Sequence, residues 1–258
     1  MVTNEVQRLS VATQQREERF DRFGGPFKRN LWAQTLLQEF HNRMPEHARG
    51  GMVVARIVSA ALEELDNQQG GGPFNQQERD AIILGAALHD IGKTDQSQEE
   101  SAYDMSRRWR DDPNALQWAH IQRHPGESRR RIRELDGYPW ANGVGRNVGE
   151  IVYLHHAFKR KDPYPIAGIQ FLDLFPRVVR DGARIIAGVD VADAITNNQK
   201  GEGRAYAREE FANSDLTTVH GLATVVWKEL DIPWGIASLA AEKTLQVKRP
   251  FQPHKVGG

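Results

Sequence analysis

The chain contains no cysteine among its 258 residues. Disulfides, thiolate nucleophiles and thiolate metal sites are therefore excluded. Any transition-metal site must be made of histidine and carboxylate donors, a set that suits Fe, Mn or Zn. Excess charge is also missing: 34 Lys and Arg balance 34 Asp and Glu, so no global basic field marks a binder of duplex nucleic acid. No apolar run approaches the roughly 20 residues that a membrane helix needs. The stretch from Met1 to Arg19 is polar and mixed in charge, without the apolar centre of a secretory signal. Together these absences lead to the expectation of a soluble, cytoplasmic protein with no membrane partner.

Strand-like alternation is scarce, and neither an internal repeat nor a low-complexity tract is present. What remains is helical periodicity. Val53, Val54, Ile57, Val58, Ala61, Leu62 and Leu65 form one apolar stripe. Gln68 to Pro73 reads as a linker, and Asn75 with Glu78 three residues on is a helix-start signature. Ile82, Ile83, Ala86, Ala87 and Leu88 carry that helix towards His89 and Asp90, with Gly92 ending it. Thr94 to Asn114 reads as a loop or short surface helices, and further helices are expected at 115–135, 143–156, 177–197, 216–230 and 234–246. The fold class is all-α. The division expected is an N-terminal helical extension or arm over 1–40, a main helical domain over 41–250 and a tail over 251–258.

The richest chemistry lies in His89-Asp90-Ile91-Gly92-Lys93, an adjacent imidazole and carboxylate at the end of an apolar run. Such a pair can hold one metal or bridge two. His47 lies upstream of it, and His124, the doublet His155-His156 and Asp190 lie downstream. Each sits near a helix end or on an apolar face. Asp190 in particular lies among Ile185, Ile186, Val189 and Ile195, where an unpaired carboxylate would be costly.

In this order the residues resemble the HD superfamily of metal-dependent phosphohydrolases, and within it the HD-GYP group. The resemblance runs from about Glu46 to Asn198. It is carried by His89-Asp90-Ile91-Gly92-Lys93, by His124-Pro125 at the start of a helix, by His155-His156 ahead of Tyr164-Pro165, and by Asp190 to Ile195. The resemblance implies an HD-type helical bundle with two divalent transition metals, Fe or Mn foremost. His47, His89, Asp90 and Asp190 would hold one metal, and Asp90 would bridge to a second held by His124, His155 and His156. Such a pair acidifies a water and clamps the oxygens of a phosphoryl group. Lys93 would join Asp90 in catalysis as a cation for the phosphate. The implied reaction is hydrolysis of a phosphoester, with a cyclic dinucleotide or other nucleotide as the small phosphorylated substrate.

The chain departs from the group at several points. Ala157 stands where the group has Glu, Arg160-Lys161 replace Asp-Gly, and Pro163 replaces the Gly of the GYP triplet. Arg43 occupies the position of an acidic ligand found in three-metal members, which favours two metals. A catalytically silent nucleotide-binding regulatory module is therefore an alternative. An HD-fold di-iron oxygenase is a second, disfavoured by the His doublet. Two basic runs, Arg129 to Arg133 and Lys159 to Lys161, read either as a substrate rim or as solvated faces. Of the first run, Arg129 and Arg130 are the candidates to touch phosphate. Asp193 is read either as orienting a ligand or Lys93, or as a plain helix carboxylate, while His120 is a secondary candidate near the centre. Tyr138, Trp140 and Trp118 are assigned to the core, and His41, His220 and His254 to structure or surface. A homodimer remains open.

Overall fold

The computed structural model describes residues 24–69, 72–95, 115–135, 143–161, 163–197 and 215–248. The tail over 251–258, the first 23 residues and 96–114 lie outside it, as do Tyr138, Trp140, His254 and the side chains of Trp118 and His120. The described chain is all-α: α1 (Leu31–Arg43), α2 (Pro45–Gln69), α3 (Gln76–Leu88), α4 (Ala115–Glu134), α5 (Gly143–Leu154), the short α6 (Ile166–Gln170), α7 (Arg177–Asn197), α8 (Val219–Glu229) and α9 (Trp234–Lys248). Single 3-10 turns follow α3 at Ile91–Asp95 and α6 at Leu172–Leu174. None of the described helices is long and apolar enough to cross a membrane.

The bundle is organised around α3, which packs against α2, α5 and α7. Every residue from Asp80 to Leu88 is buried, as expected of a helix enclosed on all sides rather than along one stripe. Its start is fixed by the reciprocal capping box: Asn75 Oδ1 accepts from the Glu78 N–H at 3.0 Å, and Glu78 Oε2 accepts from the Asn75 N–H at 2.9 Å. α9 closes the far side against α7 and α2, with α8 packed on α9. Two glycines allow the close approaches that place the end of α3. A Cβ on Gly51 of α2 would lie 2.5 Å from the Ala87 carbonyl oxygen. A Cβ on Gly92 would collide with the His124 carbonyl oxygen.

The boundary expected between residues 40 and 41 falls inside α1. Ala33, Leu36 and Phe40 of this helix are buried in the common core, as is Phe27 just before it. Arg29 adds a bidentate pair to the buried Asp80 at the start of α3, at 2.7 and 2.6 Å. From residue 24 onward this segment packs on the body of the bundle, as a helical extension would.

Two helix ends also differ from expectation. α3 stops at Leu88, before the His-Asp pair, and α5 stops at Leu154, before the His doublet, rather than running to 156. Neighbouring residues on a helix point about 100° apart and cannot face one spot. His89, the C-cap of α3, keeps helical dihedrals (φ −55°, ψ −35°), and the chain leaves the helix at Asp90.

Candidate metal centre

His89 and Asp90 leave the end of α3, His155 and His156 leave the end of α5, and His124 faces them from α4. His47 comes from the first turn of α2, and Asp190 from the middle of α7. The structure brings all seven into one cluster. His124, His155 and His156 each offer a ligand atom within 4.8 Å of the others, and so do His89, Asp90 and His155. Asp90 stands between the groups. Its Oδ1 lies 3.2 Å from His124 Nε2. Its Oδ2 lies 3.5 Å from His89 Nε2 and 3.8 Å from His47 Nδ1. Asp190 Oδ1 completes the second side, 3.6 Å from His89 Nε2. Donors bound about 2.1 Å from one ion lie about 3.0 to 3.4 Å apart at octahedral or tetrahedral angles, close to these separations.

The tautomers of three rings follow from the backbone. The Nδ1 of His89 faces the Ala86 carbonyl at 2.8 Å, that of His124 the Ile121 carbonyl at 2.6 Å, and that of His155 the Val152 carbonyl at 2.6 Å. A carbonyl only accepts, so each Nδ1 carries the proton and each Nε2 is the nitrogen turned to the cluster. These carbonyls are free to accept for local reasons. Ala86 and Val152 lie in the last turns of α3 and α5, where carbonyls lack an intrahelical partner. Ile121 would normally bond the amide four residues on, but that residue is Pro125, which has none.

The HD domain family matches residues 45–201, more than half of the chain. The chain belongs to the HD domain family. No curated protein and no solved structure matches it. In this HD domain the matched span includes all seven clustered side chains, and it ends just beyond α7.

The electrostatics of the HD centre suit a cation. Burial, with neighbouring positive charge, lowers the pKa of His155 and His156 far below the ordinary imidazole value. Burial likewise lowers His124, against the pull of Asp90. These rings are neutral at pH 7, with nitrogen lone pairs to donate. Burial by itself would raise the carboxyl of Asp90, but Lys93, His89, His124 and His47 hold it well below the usual carboxylate range. Asp190 is also lowered, burial being outweighed by His89. Burial would lower His89 too, yet Asp90 and Asp190 push it up to about 9. Neutral imidazoles and ionised carboxylates converging at this spacing fit a divalent metal.

Support from outside the donor set is specific. Ser128, fully buried on α4, accepts from the Gly92 N–H at 2.8 Å and donates to the His89 carbonyl at 2.9 Å. This one hydroxyl ties the His-Asp turn to the helix bearing His124. The spacing Ser128 to His124, one turn along α4, was visible in the sequence, but its partner 36 residues away was not.

Other expected site residues are placed as follows. Lys93 Nζ lies 2.5 Å from Asp90 Oδ2. Arg129 and Arg130 are engaged away from the seven: Arg129 pairs with buried Glu150 at 2.7 Å and lies over the Tyr153 ring, and Arg130 pairs with Glu127 and Glu134. Asp193 is buried against Lys248 of α9 at 2.6 Å. Arg43 pairs with Glu39 at 3.1 Å on α1. His220 lies exposed beside Trp234, and His41 is exposed on α1.

Proposed function

We propose that the protein is a metal-dependent phosphohydrolase that cleaves a phosphodiester, with a cyclic dinucleotide or another nucleotide as substrate and two divalent metals, Fe or Mn, in its centre. The observation that carries this reading is the set of bare acceptors meeting in the cluster. His124 Nε2 faces Asp90 Oδ1 at 3.2 Å and His155 Nε2 at 3.3 Å, although both rings have committed their proton to a carbonyl. Lone pairs held this close repel unless a cation lies among them. The doubled His155-His156 and the partial GYP segment ending in Tyr164-Pro165 support the HD-GYP-like assignment within the family.

Divalent ions held here supply an acidified water and positive charge for the phosphoryl oxygens. The chain's own residues do the rest. Asp90, with one oxygen towards each donor group, would be the residue shared by two bound metals. His89, His124 and His155 are aimed by their carbonyl bonds, so no reorganisation is needed during reaction. Lys93, on the His47 and His89 side, is the cation that meets phosphate charge developing in the displacement.

The test is turnover by purified full-length protein loaded with Mn or with Fe under exclusion of oxygen. Cyclic dinucleotides, nucleoside phosphates and bis(p-nitrophenyl) phosphate form the panel. Hydrolysis that disappears with chelator and in Asp90→Asn is expected. A fully loaded protein inert on every member of the panel overturns the reading.

A further inference from the structure

Seven basic side chains follow the ligating histidines in sequence, Arg129 to Arg131 with Arg133 in one run and Lys159 to Lys161 in the other. Most are drawn elsewhere. Besides Arg129 and Arg130, Arg131 pairs with Glu39 at 3.0 Å, and Arg160 reaches Asp231 at 3.6 Å and the Leu230 carbonyl at 3.1 Å. Lys159 behaves differently. Its backbone is zipped to the chain leaving α8: Lys159 bridges to Leu230, the Arg160 N–H donates to the Glu229 carbonyl at 3.0 Å, and the Asp231 N–H donates to the Phe158 carbonyl at 2.6 Å. Consecutive side chains of extended backbone leave on opposite faces. Phe158 goes into the core and Arg160 lies over Trp227, so Lys159 leaves on the other face.

That face leads to the metal centre. The Lys159 ammonium lies 5.1 Å from the centroid of the Tyr164 ring, and Tyr164 lies 4.6 Å from the ring of His156. Lys159 is half-buried, and among the described residues its ammonium has no carboxylate at ion-pair distance and no hydrogen-bond acceptor. It interacts at longer range with Asp190, Lys93, Glu229 and Asp90. A partly desolvated ammonium held only by an aromatic face keeps its donors for a ligand. Lys93 contacts Asp90 Oδ2, and Lys159 lies over the Tyr164 ring beside His156, so two cations flank the cluster at different side chains.

We propose that Lys159 binds a second phosphate of the substrate, beyond the one undergoing cleavage, and so selects substrates with two phosphates, such as dinucleotides, over those with one. The proposal rests on the phosphohydrolase reading above and deepens it. Burial, the main influence on Lys159, lowers its pKa, consistent with an ammonium short of solvation.

The test compares wild type with Lys159→Met, which keeps length and loses charge, and Lys159→Arg, which keeps charge. Calorimetric binding to the metal-loaded full chain is measured for a cyclic dinucleotide and for phenyl phosphate. KM and kcat are measured for the same dinucleotide and for bis(p-nitrophenyl) phosphate. Loss of one charge-assisted hydrogen bond predicts that Lys159→Met weakens dinucleotide binding about 10- to 100-fold and raises its KM alike. Single-phosphate probes and kcat should stay within about twofold, and Lys159→Arg should recover most of the loss. Equal losses on both classes of probe, or no loss on either, overturn the role of Lys159. If wild type turns over nothing yet binding still shows the selective loss, the hydrolase reading fails and this one stands.

Discussion

His124 and His155 face one another through their Nε2 atoms at 3.3 Å, while each ring gives its Nδ1 proton to a carbonyl three residues back. Two unprotonated nitrogens in that relation cannot hydrogen-bond each other and are available as a pair of metal donors. The same relation joins His124 to Asp90 at 3.2 Å. Asp90, which stands between the two donor groups, is thus the most consequential single side chain in the centre.

Asp90→Asn keeps the shape but removes the charge shared by both donor groups. The variant is expected to fold, to lose at least about tenfold in metal affinity, and to retain less than about 1% of any hydrolytic activity. Elemental analysis after dialysis, with circular dichroism as the folding control, checks this. Wild-type metal content in Asp90→Asn would refute the bridging role.

Metal uptake should release a proton. His89 is held up to about 9, its carboxylate neighbours outweighing burial, so at pH 7 it carries a proton that a metal must displace. Apparent affinity therefore rises with pH, by up to about tenfold per unit, and levels off above about pH 9. His124, His155 and His156 are already neutral and add no slope in this window. Chelator-competition titrations measure the effect, and a flat profile between about pH 7 and 9 would contradict it.

Stability of the metal-free protein should decline on both sides of about pH 6.5, the unfolded histidine value. His124, His155 and His156 have lowered folded pKa values. Their stabilising contribution is present above about 6.5 and is lost as pH falls. The raised pKa of His89 acts oppositely: its contribution is fully present below about 6.5 and is lost as pH rises through about 9. Urea unfolding in chelator across pH checks this, and His89→Gln should flatten the alkaline arm alone.

Ser128→Ala leaves the buried Gly92 N–H without its acceptor. A loss of about 1 to 3 kcal/mol is expected, together with weaker metal binding, because the His-Asp turn is no longer tied to α4. Denaturant unfolding and metal titration measure the two effects. Unchanged metal affinity would show that the turn holds its geometry by packing alone.

Arg29→Ala should destabilise the fold by about 1 to 3 kcal/mol, since buried Asp80 would keep only the Gln76 amide at 2.8 Å. Metal affinity should be unchanged, because this pair lies at the opposite end of α3 from His89. Altered metal binding would indicate that the N-terminal extension controls the centre.

Much of the helical pattern was legible because periodicity is local: the start of α3 at Asn75 and Glu78 and the full extent of α7 follow from neighbours in the chain. The seven donors were legible as residue types in order. Their aim was only partly so, although Pro125 marks the carbonyl that His124 takes up. The two basic runs show where such reading stops. Arg129 and Arg130 lie nearer to a ligand in sequence than many functional residues do, yet Glu150, Glu127 and Glu134 engage them. Asp193 similarly belongs to Lys248, 55 residues away.

By itself the sequence determined the chemistry available: no thiol, a balanced charge, apolar stripes that demand helices, and imidazoles and carboxylates as the donors for a metal. These follow from composition and from spacing within single elements. Only the tertiary structure decided which of those groups share a point in space. It ended α3 and α5 one residue before the paired ligands, set Asp90 between two donor groups, and turned Lys159 towards the centre while pairing the arginines elsewhere. Contacts between elements far apart in sequence depend on how helices pack, and no local pattern encodes that alone.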